Sequence, residues 1–239
     1  MNKKALYTIG ALAIAGLVIW AATANKEDSA NTRPFRETME VSLTPENRAA
    51  TEQLISDRRG QIEASKTQNV PLQEVYGLYI DLGLNLYALG DLKGAKEAYL
   101  QALDIAPNSP GVWVALYPVY RDMYDYDSAR AAVKKSVSLN PRDWNMWRNY
   151  LELEQYQFHA TTEQLDKLYQ DALTATQTDI NIVTVYAKFL EEQKGDLRSA
   201  LNYWKIAAEQ QPNNQAYKDE IKRLEAAIAE QDRNSIEFK

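Results

Sequence analysis

Leu82-Gly83-Leu84-Asn85-Leu86-Tyr87-Ala88-Leu89-Gly90-Asp91-Leu92-Lys93-Gly94-Ala95-Lys96-Glu97-Ala98-Tyr99-Leu100-Gln101-Ala102-Leu103-Asp104-Ile105-Ala106-Pro107 decides the fold of this chain. Leu82, Gly83 and Leu86 fall on one helix, Gly90-Asp91 makes a turn, and Ala95, Tyr99 and Ala102-Leu103 line a second helix that Pro107-Asn108 closes. Gly83 and Ala95 are small where two such helices would cross most closely, and larger residues fill the groove beside them. The pattern returns 34 residues later, Leu82 as Leu116, Ala95 as Ala129, Leu103 as Val137 and Pro107 as Pro141, while Trp113 recurs as Trp147. That period in short amphipathic helices means a stack of helix pairs.

The first pair occupies 76–109, with Tyr79 ahead of Leu82. The second, 110–143, supplies Trp113, Leu116, Tyr120, an Asp125 turn, Ala129, Val133, Ser136-Val137 and Pro141. A third, 144–179, gives Trp147, Tyr150, Glu154, Leu168-Tyr169 and Ala172-Leu173; a fourth, 180–214, gives Val183, Tyr186-Ala187, Leu190, a Gly195-Asp196 turn, Ala200, Trp204, Ala207 and Pro212. Residues 215–239 hold a last helix whose stripe of Tyr217, Ile221, Leu224 and Ile228 suits a cap with a wet outer face. The aromatics at these positions read as core.

In their order of aromatic, Leu-Gly, Ala, Tyr, Ala and Pro, these residues resemble the tetratricopeptide repeat family. The resemblance covers 76–214 and the cap, strongly in the first two pairs and more loosely afterwards. It implies an all-α fold, a right-handed α-solenoid of about four hairpins with a C-terminal capping helix, preceded here by a single N-terminal transmembrane helix.

The lapses in the pattern carry expectations of their own. Tyr117 in the second pair, and Leu151 against Leu165 in the third, stand where the family prefers small residues, so both hairpins should splay. Pro118 should kink its helix. The third pair needs two extra residues around His159–Thr162 and lacks a closing proline, and the fourth carries one extra residue before its turn. Stretches around Trp147–Glu154 and Tyr186–Glu191 also look like half-a-tetratricopeptide repeats of RNA-processing scaffolds, a likeness taken as convergent packing.

Residues 1–24 open with Lys3-Lys4 and continue without charge from Ala5 to Ala24. Roughly 20 apolar residues at 1.5 Å each span the roughly 30 Å of a bilayer's hydrocarbon core. The lysines place the amino terminus in the cytoplasm and the repeats outside. Ala22-Thr23-Ala24 also fits a signal-cleavage site, which would make the protein secreted instead. Residues 25–43, polar and without apolar period, read as a flexible tether. Thr44-Pro45-Glu46 starts a helix over 44–67 with a thin apolar face of Ala50, Leu54, Ile55 and Ile62.

Composition limits the chemistry. The chain has 239 residues, 45% of them hydrophobic, a formal charge of −6, one histidine and no cysteine. An acidic chain is a poor match for nucleic acid. Without cysteine there is no thiolate catalysis or cysteine-ligated metal, and a lone His159 assembles neither a triad nor a metal site. Asp122, Asp125 and Asp127 lack the spacing and glycine of a calcium loop, and no phosphate-binding loop occurs. No catalytic residue, cofactor or metal is therefore expected.

What remains is a groove. In the family, the first helix of each pair lines the concave face. Carried over by position, this implies Ile80, Leu84 and Tyr87, then Val114 and Arg121, then Asn145, Arg148, Glu152 and Tyr156, and finally Lys188 beside Glu191 and Glu192. The Lys-Asn carboxylate clamp of chaperone-binding relatives is missing, since Ile80 and Leu84 hold its first positions. The resulting expectation is a membrane-tethered, extracytoplasmic scaffold that binds a protein or peptide, in envelope protein assembly or secretion. The alternatives are self-association into a homo-oligomer and a hydrolase using Glu152 with Glu154 or Glu191 with Glu192.

Overall fold

The computed structural model describes residues 33–237. Among them are ten helices: α1 (Pro45–Ser65), α2 (Leu72–Ala88), α3 (Leu92–Ile105), α4 (Pro110–Asp122), α5 (Tyr126–Leu139), α6 (Trp144–Tyr156), α7 (Thr162–Ala175), α8 (Ile180–Glu192), α9 (Leu197–Gln210) and α10 (Gln215–Glu237). The extended backbone forms one isolated antiparallel bridge, Thr38 to Asp91. The span expected over 1–24 lies outside the described residues, and no described helix is long and apolar enough to cross a membrane. The chain forms two compact units, divided between Asn140 and Pro141.

In the first unit, helices α1 to α5 each pack on the next, and α2 touches α4. The turn of the first hairpin is set by two residues. Gly90 is left-handed (φ 83°) and Asp91 caps α3, its Oδ1 accepting from the Gly94 amide at 2.8 Å. The second hairpin repeats this with Tyr124 (φ 64°) in the glycine's place and Asp125 as cap, 3.1 Å from the Ser128 amide. Burial follows the sequence pattern: Leu92, Ala95, Ala102, Leu116, Ala129 and Val133 are fully enclosed. Helix α1 starts at the Thr44 cap and buries only Ile55 and Ile62; Leu54 is exposed.

Helix α4 runs on past Pro118 to Asp122. Burial of Leu116, Tyr117, Val119 and Tyr120 around it outweighs the missing bond, worth about 3 kcal/mol. One expectation fails here: the second hairpin is not splayed, since α4 and α5 approach as closely as α8 and α9. Ala129 and Ala132, both fully buried on α5, are small where a close approach needs small side chains.

A second correction concerns the tether. Residues 33–39 lie along the hairpin turns of the first unit. The Met39 amide donates to the Gly90 carbonyl (2.8 Å), the Lys93 amide to that of Glu37 (3.0 Å), and the Arg36 amide to that of Met123 (3.1 Å). These bonds use main-chain groups, to which an apolar period is blind. Residues 25–32 lie outside the described region.

In the second unit, α8 and α9 form a close hairpin and α10 packs on α9, whereas α6 and α7 are wide apart. Here the expected splay is found. Leu151 and Leu165 are both buried, and large side chains on both helices keep the backbones apart. Its connections are irregular: His159 is left-handed (φ 50°), as are Gln177 (57°) and Thr178 (64°), where the other hairpins end in proline. Helix α10 buries Leu224 and Ile228 and is pinned by ion pairs of Arg223 with Glu191 (2.7 Å), Arg198 with Asp232 (2.7 Å) and Lys205 with Glu225 (3.0 Å). Each exposed pair adds about 1 kcal/mol or less.

Candidate functional site

The groove residues divide between the units. In the first, α2 carries Ile80, Leu84 and Tyr87, and α4 carries Val114 and Arg121. Ile80, Tyr87 and Val114 are half-buried, Arg121 is exposed, and Leu84 stands 58% exposed beside the buried Gly83. The two helices are joined through a residue the sequence reading missed. Asp122 accepts from the Tyr87 hydroxyl (2.6 Å) with one carboxylate oxygen and from the Arg121 Nε (3.0 Å) with the other. Burial, then the bond to Asp122, pushes the Tyr87 phenol up to about 12. Asp122 looked like a stray member of an acidic cluster, and only the hairpin's register shows that it faces Tyr87.

The same residue meets the amino-terminal segment. The Arg36 Nε donates to the Asp122 carbonyl, and its guanidinium lies 4.5 Å from the centre of the Tyr124 ring. Arg33 lies 5.5 Å from that ring, and Glu37 pairs with Lys93 at 3.0 Å. Cations at the carboxyl end of α4 complement its helix dipole.

In the second unit, Asn145, Arg148, Glu152 and Tyr156 are all exposed on α6, and Lys188 is exposed on α8. Arg148 pairs with Glu152 one turn on (3.5 Å) and lies 5.7 Å from the Trp144 ring. Burial pushes the Tyr169 phenol up to about 12, and Tyr156, Glu152 and Glu192 add to the shift, so these groups share one field around α7. Deeper, the Tyr186 hydroxyl donates to Asp166 (2.7 Å), which also pairs with Lys194 (3.1 Å), tying α7 to α8. Lys188 lies on α8, a different helix from the Arg148–Glu152 pair of α6.

Of the glutamates in the two pairs, Glu191 is held by both arms of Arg223 at 2.7 Å, Glu152 pairs with Arg148, and Glu154 is buried. Among the described residues no group of three His, Cys, Asp or Glu is placed to hold a metal. Asp125 is spent as a helix cap.

Residues 77–109 match the family model described as Tetratricopeptide repeat. This stretch is a tetratricopeptide repeat. The fold agrees. The crystal structure of MamA superposes with a TM-score of 0.52 at 14% identity, covering 73% of this chain and 97% of that one, a likeness of fold alone. Two others are PilF of Pseudomonas aeruginosa (0.49, 18% identity, 78% and 86% covered) and YrrB, described as a TPR protein with an unusual peptide-binding site (0.48, 16%, 72% and 84%). No curated protein matches the sequence. Within the repeat, Gly83 lies under the Tyr99 ring and Leu84 points outward from the next position.

Proposed function

We propose that this tetratricopeptide-repeat chain is a non-catalytic scaffold that holds a protein or peptide against the first helices of its hairpins. One observation carries the reading. Helices α2, α4, α6 and α8 bury one side completely yet keep Leu84, Arg121, Asn145, Arg148, Glu152, Tyr156 and Lys188 exposed. Repeat hairpins of this type present such a face to partners. The first unit offers apolar surface ended by Arg121, the second mixed charge around an exposed tyrosine. A segment with apolar residues and a separate charged stretch is the matching partner chemistry. The uncharged run Ala5–Ala24 supports membrane tethering with the repeats outside the cytoplasm, and hence a role in envelope protein assembly or secretion.

Photo-crosslinkers at Leu84 and Tyr156 in the full chain test the binding face against Gln101 and Asn202, exposed on second helices. The same partner should crosslink from the first two and not from the others. Equal yields from all four positions would remove the assignment, as would undiminished capture by Leu84→Asp and Arg148→Glu. The intact mass of the mature protein, from membrane and secreted fractions alike, decides whether residues 1–24 are retained.

A further inference from the structure

We infer that residues 33–39 form a strap that opens as a unit, separately from the hairpins, and whose docking steadies the Tyr87–Asp122–Arg121 cluster. The strap has little of what holds a core together. Of its seven residues only Arg36 and Met39 are half-buried; the rest are exposed, and Phe35 reaches 65%. It is held by backbone bonds to Gly90, Lys93 and Met123, the Glu37–Lys93 pair, and Arg33 and Arg36 against the Tyr124 ring. Segments fixed by exposed hydrogen bonds with few buried apolar contacts are the first to open.

The coupling runs through one residue. Arg36 holds the main-chain oxygen of Asp122, while the carboxylate of Asp122 holds Tyr87 and Arg121. When the strap leaves, the last turn of α4 loses the cation at its carbonyl end, and the Asp122 carbonyl loses its guanidinium donor. By reciprocity, anything that holds Tyr87 and Arg121 in their present arrangement tightens the strap. The seat is shaped for it: a methyl group on Gly90 would fall 2.1 Å from the Met39 carbonyl oxygen.

Amide hydrogen exchange on the full chain tests separate opening. The Met39 and Lys93 amides should exchange about tenfold or more faster than amides in the middle of α3 and α5. Arg36→Ala should accelerate the strap amides about tenfold further and leave those helices unchanged. Tyr124→Asn, which removes the ring but keeps a residue tolerant of its left-handed backbone, should do the same should Arg36→Ala not fold. Strap amides as slow as the helix middles, or acceleration across the whole first unit, would overturn it. The coupling is read from a mutant cycle of Arg36→Ala with Tyr87→Phe, where losing the hydroxyl should cost about threefold less in the unfolding constant once the strap is loosened. Strictly additive effects would refute the link to the cluster.

Discussion

The hairpins α2/α3 and α6/α7 answer the same packing problem in opposite ways. In the first, Gly83 has no side chain and the Tyr99 ring occupies the space, so the helices close and the three residues Leu89-Gly90-Asp91 suffice to join them. In the second, Leu151 and Leu165 fill the crossing, the helices stand apart, and a longer connection through His159 is needed. Side-chain volume at a crossing thus sets both the separation and the turn that can join the helices.

The comparison breaks if the two crossings respond alike. Emptying the wide one should have the largest effect: Leu151→Ala leaves a cavity and should cost about 2–5 kcal/mol by chemical denaturation. Filling the close one should cost less. In Gly83→Ala the new methyl lies 2.6 Å from the ring of Tyr99, itself only 3% exposed. Overpacking of about 1–3 kcal/mol then opposes the roughly 1 kcal/mol that alanine gains in a helix. A Gly83→Ala protein more stable than its parent would mean that the ring moves freely, and crossing volume would lose its explanatory place.

The turns sharpen the contrast. Gly90 and Gly195 share a left-handed backbone and precede an aspartate cap, but only Gly90 has the strap over it; around Gly195 there is open space. Gly195→Ala should therefore cost about 1–2 kcal/mol from backbone strain alone. Gly90→Ala should cost about 1 kcal/mol more and strip exchange protection from the Met39 amide. Equal costs with Met39 still protected would show that the strap does not press on this turn.

Sequence pattern reached the hairpins because their causes are local: a small residue at a crossing, a capping aspartate, aromatics at core positions. Of the nine aromatics read as core, Tyr99, Tyr120, Trp147, Tyr169, Tyr186 and Trp204 are buried, and Tyr79, Trp113 and Tyr150 are half-buried. The closeness of α4 and α5 was misread because Tyr117 was weighed alone, without the small buried Ala129 and Ala132 of α5. The docked strap was illegible for a different reason, since the Met39 amide meets the Gly90 carbonyl and the Lys93 amide the Glu37 carbonyl, through main-chain atoms that every residue has. For the groove, family position named residues of which Ile80, Tyr87 and Val114 are half-buried and the rest exposed. It gave no hint of Asp122, whose role depends on a tyrosine 35 residues away.

The smallest effect is expected at the close of the wide hairpin, where two consecutive residues, Gln177 and Thr178, hold the left-handed backbone that glycine holds elsewhere. Each costs about 1 kcal/mol relative to a right-handed residue, and the branched Thr178 is the worse of the two. Glycine keeps the bonds of this turn, because the Thr178 amide still donates to the Leu173 carbonyl (2.7 Å) and its carbonyl still accepts from Gln210 (2.9 Å). It also gives back part of the gain by enlarging the unfolded ensemble. The net expectation is that Thr178→Gly stabilises by about 0.5 kcal/mol and Gln177→Gly by less, read as a small rise in denaturation midpoint. Destabilisation by either would mean that these side chains hold the connection through contacts of their own, and that the wide hairpin ends in a built turn rather than a strained one.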